Sequence, residues 1–533
     1  MAKPKAEFHA APRTGNPPLS VGFIDDSTGT PTGWAWDFGD GGAGASSQNP
    51  THIYSAAGSY TVTLTATNSD GSSAKTKPYY VRVGALTPSA APDGRFLIAF
   101  DDGTLAPVPA WTRIDAYPNL VASYQIDRGR QYELDRTDVG RATVTVTDPD
   151  GILDPTNPDG PYYGKIEPLL QAMIRRRNPV TGSWDTRFRG FIEEMDYQFD
   201  PSQKFNRLTL TLIDIFEILN AVKMFPSSAG YPADAPPESA GQVWFQAENM
   251  DDRIFKVIGD AQIPAELIVC FSGNVVVADA VYSPGESAMT AVQEAADAEF
   301  PGVSNVYTDR FGRLAVHGRV AKFDPAGVHS TATAGAWDWH IWHAGDGAAV
   351  HAGPASTAHI RRFATNRGLA KVINQALATP AGIADEDVDG QTVSDITSIG
   401  KYGIRAQEWQ NLLTLRSLLD GADALVETKR FAEYYVTNYR DPQNRVTECA
   451  FRSMRPAQEG AAANWLLLQQ VDISDLVHIT VGSPGGGGLE DAQFYVEGVH
   501  ETCSPLNPDY DNVDLSLDLS PVQYFADVTM WPS

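Results

Sequence analysis

Trp34-Ala-Trp36-Asp37-Phe38-Gly39-Asp40-Gly41 reads as a strand running into a tight turn, and the residues around it decide how the chain begins. Downstream lie Pro50-Thr-His52-Ile-Tyr54, Gly58-Ser-Tyr60-Thr-Val62-Thr-Leu64-Thr and Asn68-Ser-Asp70-Gly71. Tyr60, Val62 and Leu64 alternate with threonines, the period-two pattern of a strand with one buried face. Asn68 to Gly71 carries turn chemistry, and Tyr80, Val81 and Val83 supply a closing strand. Trp34, Trp36, Phe38 and Tyr60 are the core candidates. Gly39, Gly41 and Gly44 also spell GxGxxG, but a dinucleotide site needs a helix N-terminus directly after the glycines. Ala45-Ser-Ser-Gln-Asn-Pro50 follows instead, which is loop.

This pattern resembles the PKD domain, the immunoglobulin-like sandwich named for polycystic kidney disease. WDFGDG at 36–41, His52 with Tyr54, and GxYTVTLT at 58–65 carry the resemblance in order and spacing. It implies a seven-stranded sandwich used for adhesion or spacing rather than catalysis. Gly84 to Gly94, with Pro88 and Pro92 among small residues, reads as a semi-extended connection. The sandwich is therefore placed at 1–86 and the linker at 87–94.

The whole chain has 533 residues, too many for one core, with 42% hydrophobic and 20% charged residues. Its N-terminus lacks the apolar stretch of a secretory signal, and no apolar run approaches the ~20 residues of a membrane helix. The expectation is a soluble protein made in the cytoplasm, with no membrane insertion. Cys270, Cys449 and Cys503 are odd in number and far apart, which fits buried thiols better than a disulfide framework or a metal knuckle. Residues 1–90 hold six basic and six acidic side chains, so the net charge of −26 belongs to the remainder. A body this acidic is a poor grip for phosphates and argues against sequence-specific nucleic-acid binding.

From Arg95 onward the alternation continues: Ala142, Val144 and Val146; Leu208, Leu210 and Leu212; Val513, Leu515, Leu517 and Leu519. Asp148-Pro-Asp150-Gly151 and Asp154-Pro155-Thr-Asn-Pro158 punctuate the strands as turns. Ser283-Pro284-Gly-Glu286 reads as a capping box opening a helix with Met289, Val292, Ala296 and Phe300 on one face. A second helix is expected over 421–439, with Leu425, Thr428, Ala432, Tyr435 and Tyr439 on one face. Leu412 to Leu419 is ambiguous. Thr308 to Leu314 reads as a hairpin turn between Val306 and Val316.

The order of these parts resembles the baseplate-hub, or minor tail, proteins at the tail tip of long-tailed bacteriophages. The stretches that carry it are Arg128 to Asp154 (RGRQYELDRTDVGRATVTVTDPDGILD), Tyr307 to Arg319 (YTDRFGRLAVHGR), Ser398 to Arg405 (SIGKYGIR), Ala432 to Arg445, and Phe494 to His500 (FYVEGVH). The fold class is thus mainly β with α+β parts: the PKD sandwich, then hub β-barrel domains and a small α/β domain. The boundaries are a first barrel at 95–225, the small domain at 226–325, an Ala-, Gly- and His-rich insertion at 326–360, and a second barrel at 361–533. The resemblance implies a homotrimeric virion component that connects the tail tube to receptor-binding parts and forms the DNA exit conduit. Its implied partners are a distal tail protein, the tape measure protein and tail fibres or other minor tail proteins, with the PKD module touching neighbours or the host surface. An acidic lumen would repel passing DNA, with basic residues such as Arg175 to Arg177 elsewhere.

His340-Ile-Trp-His343 has a spacing that could ligate metal on a helix, yet the glutamate of HExxH is missing and a packed loop or interface explains it better. Asp148, Asp150 and Asp154 could contact calcium, but an Asp-rich turn accounts for them. Glu193 and Glu194 carry no glycosidase information by themselves. Gly485 to Gly488 reads as a hairpin tip between strands at 477–481 and 493–499. No catalytic, cofactor-binding or metal-ligating residue is therefore assigned, no cofactor is implied, and the chain is expected to be no enzyme. The competing reading is a secreted PKD-containing glycan-binding protein or hydrolase.

Overall fold

The computed structural model describes the chain except residues 1–2, 12–13, 16–17, 57, 84–92, 101–103, 108, 116–120, 134, 149–150, 159, 201–204, 227–241, 271–272, 319–338, 343–356, 384–387, 419–420, 459, 482–489, 506–510 and 523–533. The fold is mainly β. Contacts divide it into two compact units, Met1–Pro88 with Asp251–Leu267, and Ser89–Met250 with Ile268–Ser533.

The first unit holds β1 (Phe8–Ala11), β2 (Thr14–Gly15), β3 (Leu19–Asp25), β4 (Gly33–Asp37), β5 (Thr51–Tyr54), β6 (Gly58–Asn68) and β7 (Gly71–Val83). They form a three-stranded sheet, β1-β3-β5, and a four-stranded sheet, β2-β7-β6-β4. Inward-facing Val62 and Leu64 alternate with their threonines as the sequence predicts. The core is an aromatic chain: Phe8 meets Trp36 edge-on at 5.1 Å and Phe23 meets Phe38 at 5.0 Å. Such pairs contribute about 0.5–1.5 kcal/mol beyond the area they bury. Trp36 and Phe38 are buried, whereas Trp34 and Tyr60 only pack against the core from its edge.

Two glycines of GxGxxG, Gly39 and Gly44, answer to backbone crowding, and Gly41 to its φ of +73°. Gly39 has φ +75°, and a Cβ there would stand 2.2 Å from the Thr61 carbonyl oxygen; one on Gly44 would stand 2.1 Å from that of Trp36. Ala45 pairs with Trp36 across the turn, and no helix follows. Lys77 on β7 is buried under the Phe8 and Tyr80 rings, 3.0 Å from Glu7 and 2.7 Å from Asp252. Burial alone would lower its pKa, but Asp252, Tyr80 and Glu7 outweigh it and hold the ammonium charged.

The second unit begins with β8 (Phe96–Ile98), β9 (Thr112–Arg113), β10 (Val121–Gly129), β11 (Asp138–Asp148), β12 (Gln171–Arg177), β13 (Trp184–Asp200) and β14 (Phe205–Ile213). A short helix, α1 (Ile215–Ala221), follows; Asp214 caps it by accepting from the Phe216 amide. Small sheets come next: β15 (Val243–Phe245), β16 (Glu248–Asn249), β17 (Ile268–Cys270), β18 (Val275–Val277), β19 (Ala280–Tyr282), β20 (Asn305–Thr308) and β21 (Leu314–His317), with helix α3 (Ala288–Glu299), while helix α2 (Met250–Asp260) belongs, from Asp251 on, to the first unit. β20 and β21 pair Val306 with Val316, the expected hairpin, and Gly312 takes φ +75° in its turn.

The capping-box reading misplaced the start of α3 by one turn. Gly285 sits at φ +94°, outside helical space, and Ser283 to Glu286 closes as a separate turn. Ser287 is the true N-cap, accepting from the Thr290 amide. Met289, Val292, Ala296 and Phe300 are buried as expected.

The C-terminal part contains β22 (Trp339–Trp342), β23 (Thr357–His359), β24 (Arg362–Arg367), β25 (Gln375–Pro380), β26 (Thr392–Ser394), α4 (Ile396–Tyr402), β27 (Ala406–Leu412), β28 (Thr414–Ser417), α5 (Ala424–Tyr439), β29 (Asn444–Arg452), α6 (Ala461–Gln470), β30 (Leu476–Val481), β31 (Glu490–Pro505) and β32 (Asp511–Pro521). Of the ambiguous stretch 412–419, Leu412 ends β27 and Thr414–Ser417 forms β28, while residue 419 lies outside the described residues. Helix α5 starts three residues after Gly421, whose φ of +73° breaks the helix, and Asp423 caps it. Its buried side includes Thr428, Ala432, Tyr435 and Tyr439, while Leu425 is only partly covered.

One strand joins the early and late halves of this unit. β31 pairs along its length with β32 on one side; on the other it pairs first with β30 and then with β10. The stretches expected to form two barrels, 95–225 and 361–533, thereby share a sheet of fourteen strands. A single core runs beneath it, drawing on Val144 and Leu210 as well as Trp465, Val499 and Leu517. At the crossing Gly129 has φ +95°, and a Cβ there would stand 2.2 Å from the Glu497 carbonyl oxygen.

Candidate functional site

Buried charged side chains gather at this β10–β31 crossing, among them Arg128, Arg130, Glu133 and Glu497. Arg128 and Arg130 leave β10 where its regular pairing slips at a bulge. Arg128 donates to the Thr308 carbonyl (3.0 Å) and pairs with Asp472 (2.8 Å); Arg130 pairs with Glu497 on β31 (2.8 Å). Glu133, in the loop that follows, accepts from Arg445 (2.6 Å) and from the Ser520 hydroxyl (3.0 Å). Ser398 donates to the Arg440 carbonyl just after α5. Five stretches far apart in sequence, around 128–135, 307–308, 398, 440–445 and 497, are thus tied by hydrogen bonds and ion pairs.

Beside it Arg176 on β12 and Arg187 on β13 share the Glu501 carboxylate, with Arg187 at 3.1 Å and Arg176 in direct contact. All three are buried. Both guanidiniums also meet the C-terminal carbonyls of α6: Arg187 bonds those of Gln469 (3.0 Å) and Val471 (2.9 Å), and Arg176 that of Leu468. Cations belong at that end of a helix dipole. Burial and then the neighbouring arginines 176, 128 and 310 push the Arg187 pKa well below its ordinary range. Burial pushes the Asp472 carboxyl up, but Arg128 and Arg310 more than reverse this and hold it low. The arrangement is a fixed lattice of charges; its groups face one another.

On the sheet face, a shallow groove of about 320 Å³ crosses β10, β31, β32 and β29. His500 stands on its wall between Asp127 (3.1 Å) and Asp518 (2.7 Å). Hydrogen bonds to these two carboxylates raise it to about 9, so at neutral pH it is an imidazolium. Arg361 and Arg452 pair with Asp514 at the rim, 2.8 and 2.9 Å away.

The candidates from sequence fall in different places. Asp148 is buried; its oxygens accept from the Ile152 amide (2.9 Å), the Leu153 amide (2.7 Å) and the Tyr197 hydroxyl (3.2 Å), as an Asp-rich turn requires. Asp154 turns to Thr156 (2.7–2.8 Å), and Asp150 lies outside the described residues. His340 is on strand β22, parallel to β30, so neither the helical nor the loop reading of it holds. His343 and Gly485 to Gly488 lie outside the described residues. Glu193 pairs with Arg141, and Glu194 is an exposed residue of β13. No group of three metal-ligating side chains occurs among the described residues. The three cysteines are buried and form no disulfide with one another; burial raises the Cys449 thiol, and brings that of Cys503 to about 11.

Sequence reasoning missed the arginine lattice. Its signal was Arg128, Arg176 and Arg187 on apolar strands, and Arg130 just after one, in an otherwise acidic body. Asp214 was missed too: burial moves its carboxyl up to about 6 while it caps α1 and accepts from the Gly140 amide (2.8 Å).

No curated protein matches the chain. Among solved structures it is similar to a tail protein from Neisseria meningitidis, at 12% identity and TM-score 0.44, over 81% of this chain and 98% of that one. An Escherichia coli component of the type VI secretion system, described as structurally similar to bacteriophage tail proteins, aligns at 7% identity and TM-score 0.36 over 75% and 73% of the two chains. A carbohydrate-binding module of the β-sandwich superfamily aligns at 18% identity and TM-score 0.17, over 40% of this chain and 93% of that one. The PKD family matches residues 1–83. With its two sheets, aromatic core and crowded glycine turn, the N-terminal segment is a PKD domain.

Proposed function

We propose that this chain is a structural component of a bacteriophage tail tip, a baseplate-hub protein without catalytic activity. The observation that carries the reading is the meeting of the hub-like stretches. RGRQYELD, YTDRFGR, SIGKYGIR, the segment ending at Arg445 and FYVEGVH are bound together around the β10–β31 crossing, through Arg128–Thr308, Arg130–Glu497, Glu133–Arg445 and Ser398–Arg440. Residues that jointly resemble one family also jointly build one scaffold.

On this reading the acidic second unit assembles as a homotrimer whose closed ring covers sheet edges that a single copy leaves open. The ring joins the tail tube, through a distal tail protein and the tape measure protein, to fibres or other minor tail proteins. Its lumen passes DNA, whose phosphates an acidic wall repels. The PKD domain serves adhesion or spacing, and the protein resides in the virion. Immunogold labelling of intact virions with antibody to the purified chain tests this: gold at the distal end of the tail is expected. Label in the culture medium but none on virions would favour a secreted PKD protein instead.

A further inference from the structure

A small polar cavity of about 80 Å³ lies within the second unit, between the loop after β10, the last turn of α3 and the turn entering β20. Its charges cancel in pairs. Arg136 meets Asp297 at 2.8 Å, Lys371 meets Asp135 at 2.8 Å, and Arg130 meets Glu497 at 2.8 Å.

Hydrogen-bonding capacity does not cancel. Arg130 Nε and Nη1 are taken by Glu497 and the Asp135 carbonyl, while Nη2 has no partner among the described residues. The Thr137 hydroxyl donates to Asn305 Oδ1 (3.3 Å), which orients that amide and leaves Nδ2 over. Ser304 Oγ is likewise without a partner among the described residues. These side chains are 5%, 1% and 4% exposed, so bulk water does not serve them. Trp409, stacked on Tyr435 at 4.2 Å, adds a flat apolar wall.

A charged guest would enter a site already neutral and stay unpaired, which costs its desolvation. A neutral group with one carbonyl oxygen and one N–H₂ meets the need, accepting from the three donors and donating to the Asp135 and Asp297 carboxylates. We propose that this cavity binds a primary amide, either a glutamine or asparagine side chain of a neighbouring chain or a free small amide. The inference does not depend on the tail-tip reading.

Saturation-transfer NMR on the full chain tests it with three probes: acetamide, a capped glutamine-containing peptide and acetate. Acetamide should receive saturation and acetate should not. Asn305→Asp, which keeps shape but removes the donor, should weaken the acetamide signal about five-fold, and Ser304→Ala should weaken it independently. A peptide signal at lower concentration than acetamide identifies a side chain as the guest; acetamide alone identifies a free amide. Absence of transfer to acetamide at tens of millimolar means the cavity holds water only, and tighter binding of acetate means an anion site. Either result overturns the proposal, whatever the variants do to folding.

Discussion

The two units are stabilised by different means. The PKD domain is electrically balanced and centred on aromatic rings, with Trp36, Phe38, Phe8 and Phe23 in mutual contact. The second unit also has an apolar core, but arginines and carboxylates are buried beside it, notably Arg176, Arg187, Glu501, Arg130 and Glu497. A small sandwich is specified by alternation and turns along one short stretch of chain. A sheet assembled from segments hundreds of residues apart must also choose among many apolar strands. Buried ion pairs are poor sources of net stability, but a misplaced partner leaves a charge uncompensated, so they discriminate between pairings. The exception in the first unit obeys the same rule: Lys77 is buried in the ion pair with Asp252, on the segment furthest from it in sequence.

The largest effect should come from breaking the lattice in the second unit. Glu501→Gln leaves Arg176 and Arg187 buried without their shared carboxylate, and should cost about 3–5 kcal/mol in denaturant unfolding. A loss under about 1 kcal/mol would show that the three helix-end carbonyl contacts suffice. A smaller loss is expected in the PKD domain from Trp36→Phe. It removes ring area from the core and the bond from the indole N–H to the Ser47 carbonyl (3.0 Å), and should cost about 2 kcal/mol. The variant sharpens the contrast only if near-ultraviolet signals of the second unit are unchanged.

The smallest effect concerns pH. The folded pKa of His500, about 9, lies above its ordinary value of 6.5. The contribution is therefore full below pH 6.5, declines as pH rises toward 9, and is absent above it. The side chain is 42% exposed, so solvent screening keeps the effect to about 1 kcal/mol or less. Urea midpoints of the wild type should fall from about pH 6 to about pH 9.5 by more than those of His500→Asn. Equal falls would remove His500 from the account.

Much of this architecture is legible in the sequence because alternation and turn chemistry are local. Val144, Leu210 and Leu517 face inward as their spacing dictates, and Gly312 closes the hairpin it was assigned. Helix starts were off where a competing glycine, 285 or 421, ruled the first turn. The partition of β31 between β30 and β10 leaves no local mark, since it depends on strands that are distant in sequence. The arginine lattice was hidden for the same reason. Arg176 and Arg187 look like surface residues until their carboxylate, Glu501, arrives over three hundred residues later.

On the proposed function, the second unit builds the tail tip and the PKD domain is an addition to it. Electron microscopy of a phage encoding this chain without residues 1–86 tests that directly. Tailed particles in wild-type numbers, with altered adsorption to the host, are expected. Capsids without tails would contradict it and make the sandwich part of the ring.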